Sequence, residues 1–247
     1  QTDRMPVVAL RIVVLVVATA AGSLPRIFPL RIFLRLRRGS DADEDRVRRV
    51  NRHFSKSADA ICFGQLLRLV AVKVEPVVET LGAGAGSARL ISGSQTISHD
   101  LETALATFKQ AEAALSFSSG YAAALGTVPA LVGQGDVVII DKLVHACLVD
   151  AARLSGAKLR VFKHNDLADL ESILQWADER EGNTLVITES VFSMDGDLAP
   201  VRDLVELKNR YGAWLMLDEA HATGLYGEGR RGIAEEMGVA DGVEVQL

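Results

Sequence analysis

Residues 184–221 read TLVITESVFSMDGDLAPVRDLVELKNRYGAWLMLDEAH, and this stretch decides the fold. It contains an apolar strand at Thr184–Glu189, a helix at Val201–Tyr211 and a second apolar strand at Ala213–Asp218. Two short buried strands joined by a helix form a parallel crossover unit. The stretch therefore predicts an α/β protein with a mostly parallel, doubly wound sheet inside a three-layer αβα arrangement.

The same alternation of strands and helices extends on both sides of this unit. Apolar residues at helical spacing and short apolar runs between turn residues predict the upstream elements. The predicted helices are Leu101–Ala111, Tyr121–Val132, His145–Leu154 and Leu167–Trp176, the last with an Asn165-Asp166 cap, and the predicted strands are Val137–Asp141, Lys158–Phe162 and Val243–Leu247.

Composition limits the classes of function. The chain has 247 residues, 49% of them hydrophobic, which is enough for one sizeable core. Its formal net charge of −5 gives no reason to expect a nucleic-acid partner. The two cysteines, Cys62 and Cys147, have no partner spacing, so neither a disulfide framework nor a metal site is expected, and a cytoplasmic location is the default.

Residues 1–52 differ in composition from the rest of the chain. They hold eleven arginines against five acids, a net charge of +6, and no lysine. Their longest uncharged run, Ile12–Pro25, is shorter than the roughly 18 apolar residues of a membrane span. A non-native leader and a targeting or membrane-surface segment both stay open. One helix is predicted around Val47–Phe54. Residues 53–81 form a poorly patterned segment, and residues 82–247 form the regular domain, for which no membrane contact is expected.

Three of the predicted strands end in, or run directly into, an acidic residue: Asp141, Glu189 and Asp218. In open parallel sheets the ligand crevice lies beyond the carboxyl ends of the strands. These acids are therefore candidate site residues on architectural grounds alone.

Several local motifs allow more than one interpretation. Ser118-Ser119-Gly120-Tyr121 opens a helix, where free backbone N–H groups favour a phosphate, although an ordinary helix cap has the same sequence. Asp218-Glu219-Ala220-His221 resembles the Mg²⁺-binding box of a helicase, but no Gly-Lys pair of a phosphate-binding loop exists in the chain. A carboxylate that engages a cofactor ring nitrogen and a simple capping Asp are the other two interpretations of this motif.

The motifs also occur together in a fixed order. GAGAGSARLISGSQTISHDLETALATF, FSSGYAAALG, DKLVHACLVDAARLSGA, HNDLADLE, TESVFSMDGDLAPV and YGAWLMLDEAHATGLYGEGRRG follow one another along the chain. This series resembles the α-oxoamine synthases, a family of pyridoxal-phosphate (PLP) enzymes, over roughly two thirds of the chain. The resemblance implies the large domain of PLP-dependent transferase fold type I.

The resemblance also implies a role for each matching residue. Gly120 and Tyr121 would contact the PLP phosphate, and His145 would stack on the pyridine ring. Ser193 would lie near the ring oxygen or the bond to the cofactor. Asp218 would pair with the pyridine nitrogen, and His221 with the ring hydroxyl. No metal is implied.

The implied reaction condenses an amino acid with an acyl-CoA, with loss of CO₂, to give an α-aminoketone at a homodimer interface. An activity like that of 8-amino-7-oxononanoate synthase, in biotin biosynthesis, is the first expectation, and one like that of glycine C-acetyltransferase is the alternative. Two departures also suggest an inactive fragment. The family's Schiff-base lysine is expected one strand beyond Asp218, after Val243–Leu247, and the family's Asn-x-Tyr-Leu-Gly pattern is not recognisable in Ala58–Leu81.

Overall fold

The computed structural model describes residues 12–16, 79–80, 82 and 84–247. The chain divides into two compact units, one made of Gln1–Ala20 with Gln95–Leu247 and the other of Ala21–Ser94. Among the described residues of the second unit, Arg89–Gly93 forms a short π-helical turn. The helix predicted around Val47–Phe54 lies outside the described residues, and the boundaries predicted at residues 52 and 81 stay predictions.

The first unit is built on a seven-stranded sheet whose paired strands are all parallel. The order across the sheet is β2-β1-β7-β6-β5-β3-β4. The strands are β1 Ile12–Val16, β2 Ala113–Phe117, β3 Val137–Asp141, β4 Lys158–Phe162, β5 Thr184–Glu189, β6 Trp214–Asp218 and β7 Val245–Gln246.

Six α-helices are described in the same unit, and they connect the strands. They are α1 Thr96–Lys109, α2 Gly120–Leu131, α3 Ala146–Leu154, α4 Leu167–Asp178, α5 Val201–Arg210 and α6 Ile233–Glu236. Side chains cap three of their N-termini: Ser119 accepts from Ala122 N at 3.1 Å, His145 from Cys147 N at 3.3 Å, and Asp166 from Asp169 N at 3.0 Å. No helix in the described part of the chain is both long and apolar enough to cross a bilayer.

Two hydrophobic cores lie on opposite faces of the sheet because successive side chains of a strand point to opposite sides. In β3, Val137 and Ile139 belong to one core, whereas Val138 and Ile140 belong to the other. The first core contains residues of α4, α5 and α6, and we call its side the α4/α5 face. The second contains residues of α2 and α3, and we call its side the α2/α3 face. The predicted three-layer α/β fold is confirmed.

The helices and strands predicted from Leu101 to Asp218 are confirmed, with ends that differ by a few residues. Two of the described strands, β1 and β2, and one described α-helix, α6, had not been predicted. The sequence of β2, AALSF, begins with two alanines, which do not favour a strand. The last predicted strand, Val243–Leu247, is shorter in the structure, although Glu244 N and Leu247 N still donate hydrogen bonds to carbonyls of β6.

Candidate functional site

Two of the strand-end acids lie side by side on the α2/α3 face. Glu189 and Asp218 are paired in register at the ends of β5 and β6. In each strand, the residue two positions before the acid, Ile187 in β5 and Met216 in β6, belongs to the α2/α3 core. The alternation of side chains along a strand therefore points both carboxylates toward the helices α2 and α3.

The third strand-end acid, Asp141, lies on the α4/α5 face. It follows Val137 and Ile139, which belong to the α4/α5 core. Its carboxylate accepts hydrogen bonds from Leu143 N at 2.8 Å and Asn165 N at 2.9 Å, and it lies 3.0 Å from Nδ1 of His164. The structure thus separates Asp141 from Glu189 and Asp218, although the three residues end neighbouring strands.

His145 is the N-cap of α3, and its contacts determine which ring nitrogen carries the proton. Its Nδ1 accepts a hydrogen bond from the backbone N–H of Cys147 at 3.3 Å and lies 3.0 Å from the Cys147 sulfur. A backbone N–H can only donate, so Nδ1 is the acceptor and the neutral ring carries its proton on Nε2. His145 is thereby prepared to donate a hydrogen bond from Nε2.

Glu189 connects two of the predicted site residues through their backbones. Its Oε1 accepts a hydrogen bond from His145 N at 2.5 Å, and the nearby backbone N–H of Ser193 helps to lower the pKa of the same carboxylate. Burial raises the pKa of Glu189, the negative charge of Asp218 raises it further, and these backbone N–H groups oppose the rise. The resemblance assigned no role to Glu189. The alternation of side chains along β5 nevertheless indicates that Glu189 lies on the same face as Asp218.

Asp218 is buried at the end of β6, with 8% of its surface exposed. Burial is the largest cause of its raised pKa. A hydrogen bond from Ala220 N to Oδ1, 2.9 Å long, and the charges of His221 and His145 act in the opposite direction. The structure therefore brings Asp218 within electrostatic range of both predicted histidines.

The beginning of α2 supplies the predicted phosphate-contacting residues Gly120 and Tyr121. The first N–H groups of a helix have no acceptor within the helix, and the helix dipole adds a partial positive charge there. The Tyr121 hydroxyl donates a hydrogen bond to Asp150 of α3 at 3.1 Å, which raises the pKa of Tyr121. This contact places the start of α2 against α3, whose N-cap is His145.

Ser193 and His221 lie on exposed loops that follow β5 and β6. The Ser193 loop closes through a backbone bridge between Val191 and Leu198. The His221 turn begins with hydrogen bonds from Ala222 N and Thr223 N to the carbonyl oxygen of Glu219. Both loops start at the carboxyl edge of the sheet, next to Glu189 and Asp218.

This arrangement can hold an anionic heteroaromatic ligand. The start of α2 suits a phosphate, and the Asp218 carboxylate suits a protonated ring nitrogen. No group of three or more His, Cys, Asp or Glu side chains within residues 84–247 is placed to hold a metal ion.

Residues 61–246, which include every candidate site residue named above, match the model of the aminotransferase class I and II family. The chain belongs to this family. Among curated members, it is 52% identical over 171 residues to the 8-amino-7-oxononanoate synthase of Geobacter sulfurreducens, an alignment covering 69% of this chain and 43% of the relative. It is 48% identical over 168 residues to that of Citrifermentans bemidjiense, covering 67% and 42%.

Solved structures of family members have the same fold. A serine palmitoyltransferase from S. paucimobilis with a bound PLP–myriocin aldimine matches with a TM-score of 0.66 and 34% identity, over 68% of this chain and 42% of that chain. An 8-amino-7-oxononanoate synthase from Francisella tularensis matches with a TM-score of 0.54 and 29% identity, over 66% and 43%. The chain spans less than half the length of these relatives. The prediction that PLP is the cofactor of this family is confirmed.

Proposed function

We propose that this chain is the PLP-binding part of a cytoplasmic, homodimeric acyltransferase that condenses an amino acid with an acyl-CoA and releases CO₂ and CoA. Asp218 carries the proposal. It is a buried carboxylate at a strand end, on the same face as His145. The similarity to 8-amino-7-oxononanoate synthases supports the same reaction for this protein.

The raised pKa of Asp218 indicates how it contributes. Burial makes its negative charge unfavourable, and the hydrogen bond from Ala220 compensates only in part. A cationic ring nitrogen beside the carboxylate relieves this cost, so Asp218 favours the protonated form of the ring. PLP, when bound, supplies a protonated ring that withdraws electrons from the reacting amino acid.

The other residues bind and orient. His145 can donate from Nε2 because Nδ1 accepts from Cys147 N, and Glu189 accepts from the His145 backbone N–H. Gly120 and Tyr121 offer backbone N–H groups to the phosphate. Ser193 and His221, on exposed loops after β5 and β6, would contact oxygen atoms on the ring.

The product named for the curated relatives defines the substrates that we propose. In 8-amino-7-oxononanoate, the amino carbon and the terminal methyl group are the two carbons that alanine keeps after decarboxylation. The remaining seven carbons must come from an acyl group that ends in a carboxylate. The proposed substrates are therefore alanine and a seven-carbon dicarboxylic acyl-CoA.

The cofactor site can be tested on this chain by titration with pyridoxine 5′-phosphate. This ligand has the ring, the hydroxyl and the phosphate but lacks the aldehyde, so it cannot react with lysines. In a ¹³C-histidine-labelled sample we expect it to shift the resonances of His145 and His221 and not that of His99, at the start of α1. Asp218→Ala should weaken binding by about 30-fold or more, the effect of truncating one partner of a buried charge pair. An unchanged affinity would remove Asp218 from this role.

The reaction is tested on a protein that joins this chain to the remaining length of its relatives. Release of CoA is measured with alanine or glycine against acyl-CoAs of different length. We expect turnover with alanine and the seven-carbon dicarboxylic acyl-CoA. Turnover with glycine and acetyl-CoA instead would replace the proposal by glycine C-acetyltransferase activity.

A further inference from the structure

Lys109, the last residue of α1, forms a buried cluster with the segment that follows Asp218. It is 4% exposed, and its Nζ donates to three oxygens: Glu219 Oε2 at 3.0 Å, Thr223 Oγ1 at 2.8 Å and the carbonyl of Arg231 at 2.5 Å. An ammonium group has three protons, so these acceptors saturate it.

Glu219 is the centre of this cluster and is 0% exposed. Its Oε2 receives the bond from Lys109, and its Oε1 accepts from Ala234 N at 2.9 Å. Its backbone oxygen accepts from Ala222 N and Thr223 N, both at 2.9 Å. One residue thus holds both the beginning of the segment after β6 and the beginning of α6.

The backbone approaches the Glu219 carboxylate closely at Gly232. Gly232 has φ +127, and a Cβ added there would lie 2.1 Å from Glu219 Oε2. Only glycine fits both this conformation and this contact. The backbone conformation of residues 219–234 therefore depends on the position of the Glu219 carboxylate.

The cluster lies on the opposite side of the chain from the candidate site. Glu219 accepts a hydrogen bond from Ala234 N, in the α4/α5 core, whereas Asp218 follows Met216 of the α2/α3 core at the end of β6. We propose that Lys109 and Glu219 are a positioning pair that fixes the turn after β6, so that Asp218 and His221 face the cofactor. This inference rests on the proposed function of that site.

The chain contains a matched control pair. Lys208 of α5 contacts Glu244, and both side chains are largely buried. Glu244 also accepts a hydrogen bond from Leu215 N at 2.7 Å, near the opposite end of β6 from Asp218. Loss of Lys208 should destabilise the chain as loss of Lys109 does, without moving Asp218 or His221.

The test compares Lys109→Met with Lys208→Met, both at a temperature where each variant is folded. We expect Lys109→Met to shift the His221 resonance of the ligand-free chain and to weaken pyridoxine 5′-phosphate binding roughly 10-fold. Lys208→Met should leave the His221 resonance in place and the affinity for pyridoxine 5′-phosphate within about twofold of the wild type. Equal effects of the two variants, or no effect of Lys109→Met on His221, would overturn the inference.

Thr223→Val supplies the measurement if Lys109→Met does not fold. It keeps the ion pair and removes one acceptor of Lys109, and we expect a smaller shift of His221 in the same direction. An unchanged His221 resonance in Thr223→Val would then refute the positioning role. A wild-type chain that binds no pyridoxine 5′-phosphate refutes the proposed function, whereas the ligand-free His221 resonance still tests the pair.

Discussion

The acidic residues at the carboxyl edge of the sheet differ according to the face on which they lie. On the α4/α5 face, Asp141 and Glu219 each contact a cationic or protonatable side chain, His164 or Lys109. On the α2/α3 face, burial raises the pKa values of Glu189 and Asp218. The side-chain hydrogen bonds that these two acids accept come from backbone N–H groups.

The difference separates carboxylates that contact a cationic or protonatable side chain within the chain from carboxylates that, in the proposed function, face a ligand. A buried carboxylate with a bonded cation is compensated within the chain. A buried carboxylate with only partial compensation lowers stability, and such groups concentrate at functional sites. Asp218 and Glu219 are adjacent in sequence, yet Asp218 ends β6 on the α2/α3 face whereas Glu219, the next residue, contacts Ala234 in the α4/α5 core.

The largest expected effect is on the α4/α5 face. Lys109→Met leaves Glu219 buried without its cation, so we expect the free energy of unfolding to fall by about 3–5 kcal/mol. Urea denaturation followed by circular dichroism measures it. Lys163→Met removes an exposed lysine that contacts Asp169 at 3.5 Å and should cost less than about 1 kcal/mol. Similar losses for the two variants would contradict the contrast between the faces.

His164 gives a pH-dependent test of the same face. Both ring nitrogens face carboxylates, Nδ1 at 3.0 Å from Asp141 and Nε2 at 2.8 Å from Asp197, which only a doubly protonated ring satisfies. Burial lowers the pKa of His164, but the hydrogen bonds to these two acids outweigh burial and raise it overall. The stabilisation is therefore complete below the ordinary histidine pKa of about 6.5 and is lost as pH rises through the raised value.

We expect His164→Gln to lower the free energy of unfolding by roughly 1.5–3 kcal/mol at a pH near 6. The loss should shrink at higher pH, above the raised pKa of His164, where the wild-type ring is neutral. His99→Gln, at a histidine whose side chain is mostly exposed, should change the free energy by less than about 0.5 kcal/mol at either pH. A deficit independent of pH would refute the protonated state of His164.

On the α2/α3 face the expected sign is reversed. Asp218→Asn keeps an oxygen for Ala220 N and removes a buried charge, so it should stabilise the ligand-free chain at neutral pH by about 1 kcal/mol. Because the pKa of Asp218 is raised, folding loses stability as pH rises from the unfolded value of about 3.9 through the folded one. The gain should therefore vanish below about pH 4. A loss of stability at neutral pH would place Asp218 with Glu219 among the compensated acids.

Most of the fold and the position of the site follow from the sequence. Apolar runs that end in polar residues locate β3, β5 and β6. Because side chains alternate between the two faces along each strand, Glu189 and Asp218 lie on one face and Asp141 on the other. The partners of these acids could not be predicted. Lys109 lies 110 residues from Glu219, and contacts between such distant residues depend on how α1 packs against the sheet.

The smallest expected effect concerns His145. The Cys147 backbone N–H donates to Nδ1 and the Cys147 sulfur lies 3.0 Å from the same nitrogen; burial raises the pKa of the thiol to about 11, so it keeps its proton. Cys147→Ala removes only the thiol and should cost about 0.5–1 kcal/mol, while ¹⁵N chemical shifts of His145 should still show the proton on Nε2. If the proton moves to Nδ1 in this variant, the thiol rather than the helix cap determines the tautomer. In that case the His145 Nε2–H donor on the α2/α3 face would depend on the Cys147 sulfur and not on the backbone.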